Sequence, residues 1–356
     1  MGFLSKYTDR FGVDLASRRI GIDLGTANIL IYERGRGIVV DEPAVVALSN
    51  KDNTVIAVGH EARDMLGRTP ASISVIRPMR DGVIADYIIT EAMLQHFIQR
   101  VLGRINVVRP EVIVCVPAGV TSVERRAVRE AAEQAGARRP AHLLPEPIAA
   151  AIGARIPIDN ARGNMIVDVG GGRCEAAVIS MYGIVASESV RMAGDKFDEA
   201  IVSYLKRRHN LVIGDRTAED LKIKIGSALP MERELSAEVK GRDQVTGLPK
   251  SMTVTSNDIA KALHDPLLTI IQTVRSVLEQ TPPELASDVI DQGIVLTGGG
   301  ALLRGIDRLL ADETELPVHV ADHPLQTVAI GAGIAADHWE QLRRQISLDE
   351  DTFDAL

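Results

Sequence analysis

Residues 20–32 read IGIDLGTANILIY and residues 165–179 read MIVDVGGGRCEAAVI, and these two stretches decide the fold. Each has an apolar strand, an acidic residue near the end of that strand (Asp23 or Asp168), a glycine-containing turn and a second apolar run. That order is typical of a β-hairpin. Because one unit recurs in two halves of the chain, the sequence predicts a duplicated α/β domain.

The bulk composition indicates a globular protein of two domains. The chain has 356 residues, more than one hydrophobic core usually supports, and 46% of them are hydrophobic. A net charge of −8 and an aromatic content of 3% argue against nucleic-acid binding, which needs surplus Lys and Arg and, for single strands, stacking platforms. We therefore expect no nucleic-acid partner.

The cysteines and the hydropathy pattern favour the cytoplasm. Cys115 and Cys174 stand in apolar runs without CxxC spacing, which is typical of free thiols in a reducing compartment. No run approaches the roughly 20 apolar residues of a membrane span, and the N-terminus lacks the apolar core of a signal peptide.

Further elements follow from apolar periodicity, capping residues and glycine or proline stops. We expect strands near Val112–Val116 and Ile294–Leu296, and helices near Ser122–Gly136, Pro147–Gly153, Lys196–Arg208, Ala218–Ser227 and Asp258–Glu279. Residues 236–256 alternate polar and apolar, which predicts a β-rich insertion with turns at Gly241 and at 247–249.

A third glycine turn, Thr297 to Gly300, also follows an apolar strand. Glycine lets the backbone approach a phosphate closely, and two facing carboxylates can hold a hydrated Mg²⁺. One such turn alone is more often an ordinary tight hairpin. Three turns, two of them with an Asp in the same place, favour phosphate binding. No GxxxxGK[ST] sequence is present, so a P-loop is excluded.

Several motifs resemble the MreB family of bacterial actin homologues, and the resemblance runs from about Arg18 to Trp339. Ile22–Asn28 and Met165–Gly172 match the two phosphate loops of the family, and Leu296–Leu303 matches its adenosine loop. Additional matches are Pro117–Arg126, Glu146–Gly153 and Val245–Pro249.

The resemblance implies an α/β protein with the actin-like fold shared with Hsp70 and sugar kinases. Two duplicated, RNase H-like α/β domains would enclose a nucleotide cleft, each with a smaller subdomain. The implied boundaries are an N-terminal amphipathic segment at 1–17, subdomain IA at 18–47, 80–158 and 328–347, subdomain IB at 48–79, subdomain IIA at 159–196 and 259–327, subdomain IIB at 197–258, and an acidic tail at 348–356.

The resemblance also assigns roles to single residues around ATP or ADP and Mg²⁺. Asp23 and Asp168 would hold Mg²⁺ through water, and Asp168 would act in catalysis with Glu146, which would position the attacking water. Phosphate contacts would come from Gly25, Thr26, Ala27, Asn28, Gly170, Gly171 and Gly172, and nucleoside contacts from Glu219, Lys222, Gly298, Gly299 and Gly300.

Two of these assignments have simpler alternatives. Glu219 and Lys222 are three residues apart on one predicted helix face and could form a solvated ion pair with each other. Glu146 precedes Pro147 at a predicted helix start, where an acidic side chain favourably faces the helix dipole.

The sequence departs from the family pattern beside the γ-phosphate. Arg173-Cys174-Glu175 replaces the usual Thr-Thr-Glu, and Pro145-Glu146 replaces paired glutamates. Arg173 either contacts phosphate or points away and leaves the pocket one hydroxyl short. We expect ATP binding, with slow or altered hydrolysis.

The family resemblance implies self-association. Actin-like subunits stack head to tail into open filaments, in this family as paired antiparallel protofilaments that organise cell shape and cell-wall elongation. The implied location is the inner face of the cell membrane, and the implied partners are a membrane-anchored cytoskeletal adaptor and the elongation proteins.

The first residues offer independent evidence for membrane contact. Phe3, Leu4, Tyr7 and Phe11 would form one apolar stripe of a helix, flanked by Lys6 and Arg10. The alternatives are a core-docking helix and a disordered leader. Val107 and Val108 match the position of the family's membrane-insertion loop, although they could equally lead into the strand at Val112.

Three competing functions remain on the same fold. Arg173 and Cys174 favour a nucleotide-binding scaffold that has lost hydrolysis. An Hsp70-like chaperone would need a substrate-binding domain after the nucleotide domain, and a sugar kinase would need a catalytic Asp and a sugar pocket, which we cannot assign.

Overall fold

The computed structural model of the protein describes residues 18–103 and 109–346. The predicted membrane-contacting residues lie outside these ranges, as does the predicted acidic tail. Within the described ranges, none of the helices combines the length and the apolar character required to cross a bilayer.

The strands and helices alternate along the chain as expected for an α/β protein. The strands are β1 (Arg19–Leu24), β2 (Asn28–Glu33), β3 (Gly37–Pro43), β4 (Val46–Ser49), β5 (Val55–Val58), β6 (Ile73–Ile76), β7 (Met79–Arg80), β8 (Val83–Ile84), β9 (Glu111–Val116), β10 (His142–Pro145), β11 (Asn164–Val169), β12 (Cys174–Ser180), β13 (Gly183–Val190), β14 (Leu211–Val212), β15 (Ser236–Asp243), β16 (Pro249–Thr255), β17 (Ile294–Thr297) and β18 (Val318–Val320). The helices are α1 (His60–Asp64), α2 (Tyr87–Leu102), α3 (Ser122–Gln134), α4 (Glu146–Gly153), α5 (Gly194–His209), α6 (Asp215–Ile225), α7 (Ser256–Gln280), α8 (Pro283–Gln292), α9 (Ile306–Thr314), α10 (Thr327–Asp337) and α11 (Trp339–Ile346), with a 3₁₀ turn at Gly299–Leu302.

Two five-stranded sheets in the described ranges share one topology. The first has the order β10-β9-β1-β2-β3 and the second the order β18-β17-β11-β12-β13. In each sheet an antiparallel meander of three strands continues into two parallel strands. Asp23 and Asp168 occupy the same place in β1 and β11, the last position but one. The predicted duplication is therefore confirmed.

A shared apolar core joins the two sheets. It combines Ile113 and Leu144 of the first sheet, Ile166 of the second, and small residues of α4 and α10. These strands are buried on both faces, which explains their continuous apolar runs. Helices α4 and α10 therefore lie in the core that both halves share, and we call these two helices the floor.

Glycine allows α4 and α10 to pack backbone against backbone. A Cβ on Gly331 of α10 would overlap the carbonyl oxygen of Ala149, and one on Gly153 of α4 would overlap the carbonyl oxygen of Thr327. Only glycine fits at these two positions.

Two smaller three-stranded sheets accompany the large ones in the described ranges. Strands β5-β4-β6 pack beside α1, and β14-β15-β16 pack beside α6. Apart from Val46 and Ala47 of β4, they fall within the segments predicted for the smaller subdomains, whose boundaries remain predictions. A short hairpin of β7 and β8 follows the first of them.

Most predicted elements lie where the sequence placed them. The helix at α3 begins with a capping box in which Thr121 accepts a hydrogen bond from the N–H of Glu124. The predicted turn at Gly241 is wrong, because Gly241 lies inside β15 opposite Lys250. It is glycine because a Cβ there would lie 3.0 Å from the side chain of Ile213 and closer still to the carbonyl oxygen of Val212.

Replacing Gly331 tests the helix crossing. We expect Gly331→Ala to lower the free energy of unfolding by about 3 kcal/mol or more, because the new methyl group meets rigid backbone. Thermal unfolding followed by circular dichroism measures the loss. Gly183→Ala is the matched control, since its Cβ would lie 3.5 Å from the Ser180 carbonyl oxygen, an ordinary contact. Equal melting temperatures for the two variants would contradict the proposed packing.

Candidate functional site

A single cleft between the two halves collects the predicted site residues. Its cavity of about 420 Å³ is within the usual range of roughly 300–1,000 Å³ for small-molecule sites. Its lining includes all the candidates for catalysis, metal and nucleotide contact: Asp23, Gly25, Thr26, Ala27, Asn28, Glu146, Asp168, Gly170, Gly171, Gly172, Glu219, Lys222, Gly298, Gly299 and Gly300. The fold thus brings these residues together, while their individual roles remain predictions.

The two phosphate turns face each other in direct contact. A Cβ on Gly171 would lie 2.7 Å from the Cβ of Ala27, and one on Gly172 would lie 2.6 Å from Oγ1 of Thr26. The Thr26 hydroxyl is also fixed, because it accepts a hydrogen bond from the N–H of Gly82 at 2.8 Å. Because these glycines have no side chains, the two turns come into contact, and the backbones of both border a narrow slot of the cavity where oriented N–H groups can bind an anion.

Four carboxyl groups are concentrated on the floor of the cleft. Burial raises the pKa of Asp23 to about 7. Burial, together with the charges of Asp23 and Glu175, raises the pKa of Asp168 to about 8. The pKa of Glu146 is raised well above its usual value by burial first and then by the charges of Glu175, Asp23 and Asp168. Because these carboxyl groups repel one another when ionised, a bound cation would stabilise their charged forms.

The arrangement fits a hydrated Mg²⁺. Oδ1 of Asp168 is buried and has no hydrogen-bond partner in the protein, so it is an unsatisfied acceptor that a water molecule or a cation can use. Across residues 18–103 and 109–346 no three His, Cys, Asp or Glu side chains form a ready metal cage. Two carboxylates with water and phosphate oxygens are the ligand set that Mg²⁺ commonly uses.

The third glycine turn contacts the acidic floor directly. Gly298 has φ +82°, a left-handed conformation that glycine adopts without strain, and its Cβ position is taken up by Oδ1 of Asp168. The turn therefore approaches Asp168 as closely as backbone can.

Glu219 and Lys222 do not pair with each other, so the simple helical ion pair is wrong. Glu219 accepts a hydrogen bond from Arg63 at 2.7 Å. Lys222 donates to Asp198, with the ions 2.9 Å apart, and to the carbonyl oxygen of Gly194. Burial raises the pKa of Asp198 to about 7, although the Lys222 ammonium opposes that rise.

Ion pairs across the mouth of the cleft were not predicted from the sequence. They connect the β4–β6 region with α5 and α6: Arg63–Glu219 at 2.7 Å, Arg77–Asp195 at 3.0 Å and Arg216–Asp64 at 3.1 Å. The partners are separated by 118 to 156 residues, which no local pattern reports. These pairs hold the two halves together above the cavity.

Arg173 forms two hydrogen bonds within the protein, and both predicted alternatives for its effect at the phosphate stay predictions. Its Nε donates to the carbonyl oxygen of Asp81 at 3.0 Å and its Nη1 donates to Oγ of Ser189 at 2.9 Å. The side chain thus lines the cleft while two of its donors are used by the protein itself.

The wall beside the third turn is apolar and open. Ile223, Leu302 and Leu325 line the cavity and are 64%, 56% and 47% exposed. Exposed aliphatic side chains in a cleft provide the surface that a flat heterocyclic ring can cover. Sequence analysis missed them because single apolar residues are common on helices and turns.

The pKa of Asp168 predicts how stability depends on pH. In the folded protein this pKa is about 8, against an ordinary value of 3.8 for an exposed aspartate. Between these values the folded state holds a proton that the unfolded chain has lost, so the free energy of unfolding falls as pH rises toward 8. We expect Asp168→Asn, which cannot ionise, to raise the Tm of the ligand-free protein more at pH 8 than at pH 5.

Differential scanning calorimetry at the two pH values measures the effect. Asp265→Asn is the control, because the side chain of Asp265 is 95% exposed and outside the cleft. A Tm gain for Asp168→Asn that is the same at both pH values would contradict the burial of this charge.

Comparison with known proteins places this architecture in a family. Residues 17–344 match the family described as MreB/Mbl protein. The chain is 51% identical over 332 residues to cell shape-determining protein Mbl of Bacillus subtilis, covering 93% of this chain and 99% of that protein. It is 53% identical over 340 residues to cell shape-determining protein MreB of Escherichia coli K12, covering 94% and 96%.

The fold agrees closely with that of a solved relative. The crystal structure of MreB5 of Spiroplasma citri bound to AMPPNP superimposes with a TM-score of 0.87 at 39% identity, over 92% of this chain and 98% of that one. The same protein has been solved bound to ADP. The family match and these identities show that the chain belongs to the MreB/Mbl family of actin-like bacterial proteins.

Proposed function

We propose that the protein is an ATP-binding, actin-like cytoskeletal protein that polymerises into membrane-associated filaments and organises cell shape and cell-wall elongation in a rod-shaped bacterium. The observation that carries the proposal is the convergence of three glycine turns and two equivalent aspartates on one cavity of about 420 Å³. Related MreB and Mbl proteins are named as cell shape-determining, and MreB5 was solved with AMPPNP and with ADP.

The nucleotide would lie along the cleft with its phosphates between the two turns. Backbone N–H groups of residues 25–28 and 171–172 would contact the β- and γ-phosphates, whereas the N–H of Gly170 donates to the carbonyl oxygen of Arg173 within its own turn. Asp23 and Asp168 would orient the water shell of Mg²⁺, which when bound neutralises phosphate charge. The ribose and adenine would lie near Glu219 and Lys222, against the third turn and the apolar wall.

Glu146 is the candidate for positioning the attacking water. It starts α4 on the floor of the cleft, and its raised pKa makes its carboxylate a stronger base than an exposed glutamate. The same position also suits the alternative role at the helix dipole, because Pro147 places Glu146 in the first turn. The two roles are compatible.

Hydrolysis is expected to be slow. Arg173 replaces a threonine that in the family pattern lies beside the γ-phosphate, and its donors bond to Asp81 and Ser189. No hydroxyl is supplied at this place in the chain. This observation favours a second candidate function, a nucleotide-binding filament scaffold in which hydrolysis is lost.

Filament formation would use surfaces outside the cleft. Val245 and Leu248 lie in the turn between β15 and β16 and are 78% and 64% exposed, an apolar tip suited to a neighbouring subunit. We propose paired antiparallel protofilaments on the inner membrane face, attached through residues 1–17 and through Val107 and Val108. A membrane-anchored adaptor and elongation proteins would be the other partners.

Replacing Glu146 separates hydrolysis from binding. We expect Glu146→Gln to slow phosphate release from ATP·Mg²⁺ by about 100-fold or more, because an amide cannot accept the proton. Its affinity for ATP should stay near that of the unaltered protein, whereas Asp168→Asn should weaken that affinity about tenfold through loss of a charged contact. Phosphate release and calorimetric titration provide the two readouts. Unchanged release in Glu146→Gln would favour the scaffold function.

Pelleting tests polymerisation and membrane contact together. Purified protein with ATP·Mg²⁺ is centrifuged with and without anionic liposomes, and the pellets are viewed by electron microscopy. We expect filaments that coat liposomes. Deleting residues 2–12, or replacing Val107 and Val108 by serine, should reduce coating and preserve filaments. A protein that binds ATP yet stays monomeric would overturn the filament proposal.

A further inference from the structure

A continuous chain of hydrogen bonds crosses between the two halves behind the phosphate turns. Arg173 donates through Nη1 to Oγ of Ser189 at 2.9 Å, and the Ser189 hydroxyl donates to Oε1 of Glu175 at 2.7 Å. The second oxygen of Glu175 accepts the N–H of Ala118 at 3.3 Å. We call Arg173, Ser189 and Glu175 the clasp; all three belong to β12, β13 or the turn before β12.

The clasp grips two segments of the first half. One is the turn between β7 and β8, where the Asp81 carbonyl oxygen accepts from Nε of Arg173 at 3.0 Å. The other is the segment before α3, reached through Ala118. The first contact is connected to the phosphate slot, because the next residue, Gly82, donates to the Thr26 hydroxyl at 2.8 Å.

The contacts leave little room for movement. A Cβ on Gly82 would lie 3.0 Å from Nε of Arg173 and 3.3 Å from the ring of Pro117. A Cβ on Gly172 would lie 2.9 Å from the N of Asp81. The guanidinium is therefore packed against backbone of the opposite half, and its planar fork reaches two acceptors that a single ammonium or hydroxyl could not reach together.

We propose that Arg173 is a positioning residue that fixes the separation of the two phosphate turns, so that bound nucleotide leaves only when the clasp breaks. The proposal rests on the proposed nucleotide function and deepens it: the arginine that replaces a family threonine exchanges a contact near the phosphate for a bond between domains. Its charge also compensates the buried carboxylate of Glu175, which a threonine could not do.

Dissociation of a fluorescent ADP from the complete protein measures the effect on release. Arg173→Thr and Ser189→Ala should each release ADP about tenfold faster, because each variant removes two hydrogen bonds of the clasp. The double variant should be no faster than Arg173→Thr alone, because both break the same chain. Ser189→Thr keeps the hydroxyl and should retain slow release. Arg126→Thr is the control, since Arg126 is 79% exposed and pairs with Glu130 on its own helix.

Hydrogen exchange of the nucleotide-free protein measures the clasp by itself. Arg173→Thr should speed exchange at the amides of Gly82 and Ala118 about tenfold, and Arg126→Thr should not. Faster exchange in Arg173→Thr supports the clasp even if the unaltered protein binds no nucleotide, a result that would defeat the proposed function alone. Should Arg173→Thr fail to fold, Arg173→Lys and Ser189→Ala take its place.

Three results would overturn the inference. One is unchanged exchange at both amides. Another is additive acceleration of ADP release in the double variant, which would mean that Arg173 and Ser189 act separately. The third is a lower kcat for ATP hydrolysis in Arg173→Thr, with KM and the rate of ADP release unchanged. Arg173 would then act on the phosphate itself.

Discussion

Four buried carboxyl groups at the meeting point of two sheets are the constraint on which the structure depends. Asp23 and Asp168 end equivalent strands, and Glu146 and Glu175 face the same space. Removing several like charges from water costs several kcal/mol for each ion unless countercharges are supplied. The protein lowers that cost partly by raising the pKa values of these groups and partly by placing the Arg173 guanidinium beside Glu175 and Glu146. A bound cation is the natural means of offsetting the rest.

Duplication explains why the acids meet. The two sheets have the same strand order, and both pack on the shared core that contains α4 and α10. The turns that follow β1 and β11 therefore face each other. Glycine is required at positions 171 and 172, since a methyl group there would collide with Ala27 or Thr26 of the facing turn. Binding geometry and core packing are therefore parts of one arrangement, and both depend on glycine at points of close backbone contact.

The fold could be predicted from the sequence because the patterns that mark its strands, turns and helix caps are local. Strand, aspartate and glycine turn recur with their own periodicity, and the helices have clear caps such as Thr121. It failed where a contact is distant: the partner of Glu219 is Arg63, 156 residues away, and Arg173 reaches Asp81 across 92 residues. Gly241 was taken for a turn because crowding by another strand leaves no mark on the local pattern. The roles of the site residues were predicted mainly from family resemblance. The spacing of glycines and aspartates alone indicates a phosphate site, but it does not assign a role to each acidic residue.

The crossing of α4 and α10 has a mechanical consequence. Its backbone contact at Gly153 and Gly331 lies in the shared core, while the ion pairs of Arg63 and Arg77 lie on the far side of the cavity. Because packed cores resist gradual deformation, we expect any relative movement of the two halves to pivot at this crossing. A small rotation at the floor becomes a larger displacement at the rim. By this geometry, the spacing of the two phosphate turns is coupled to the spacing of the ion-paired segments on the far side of the cavity.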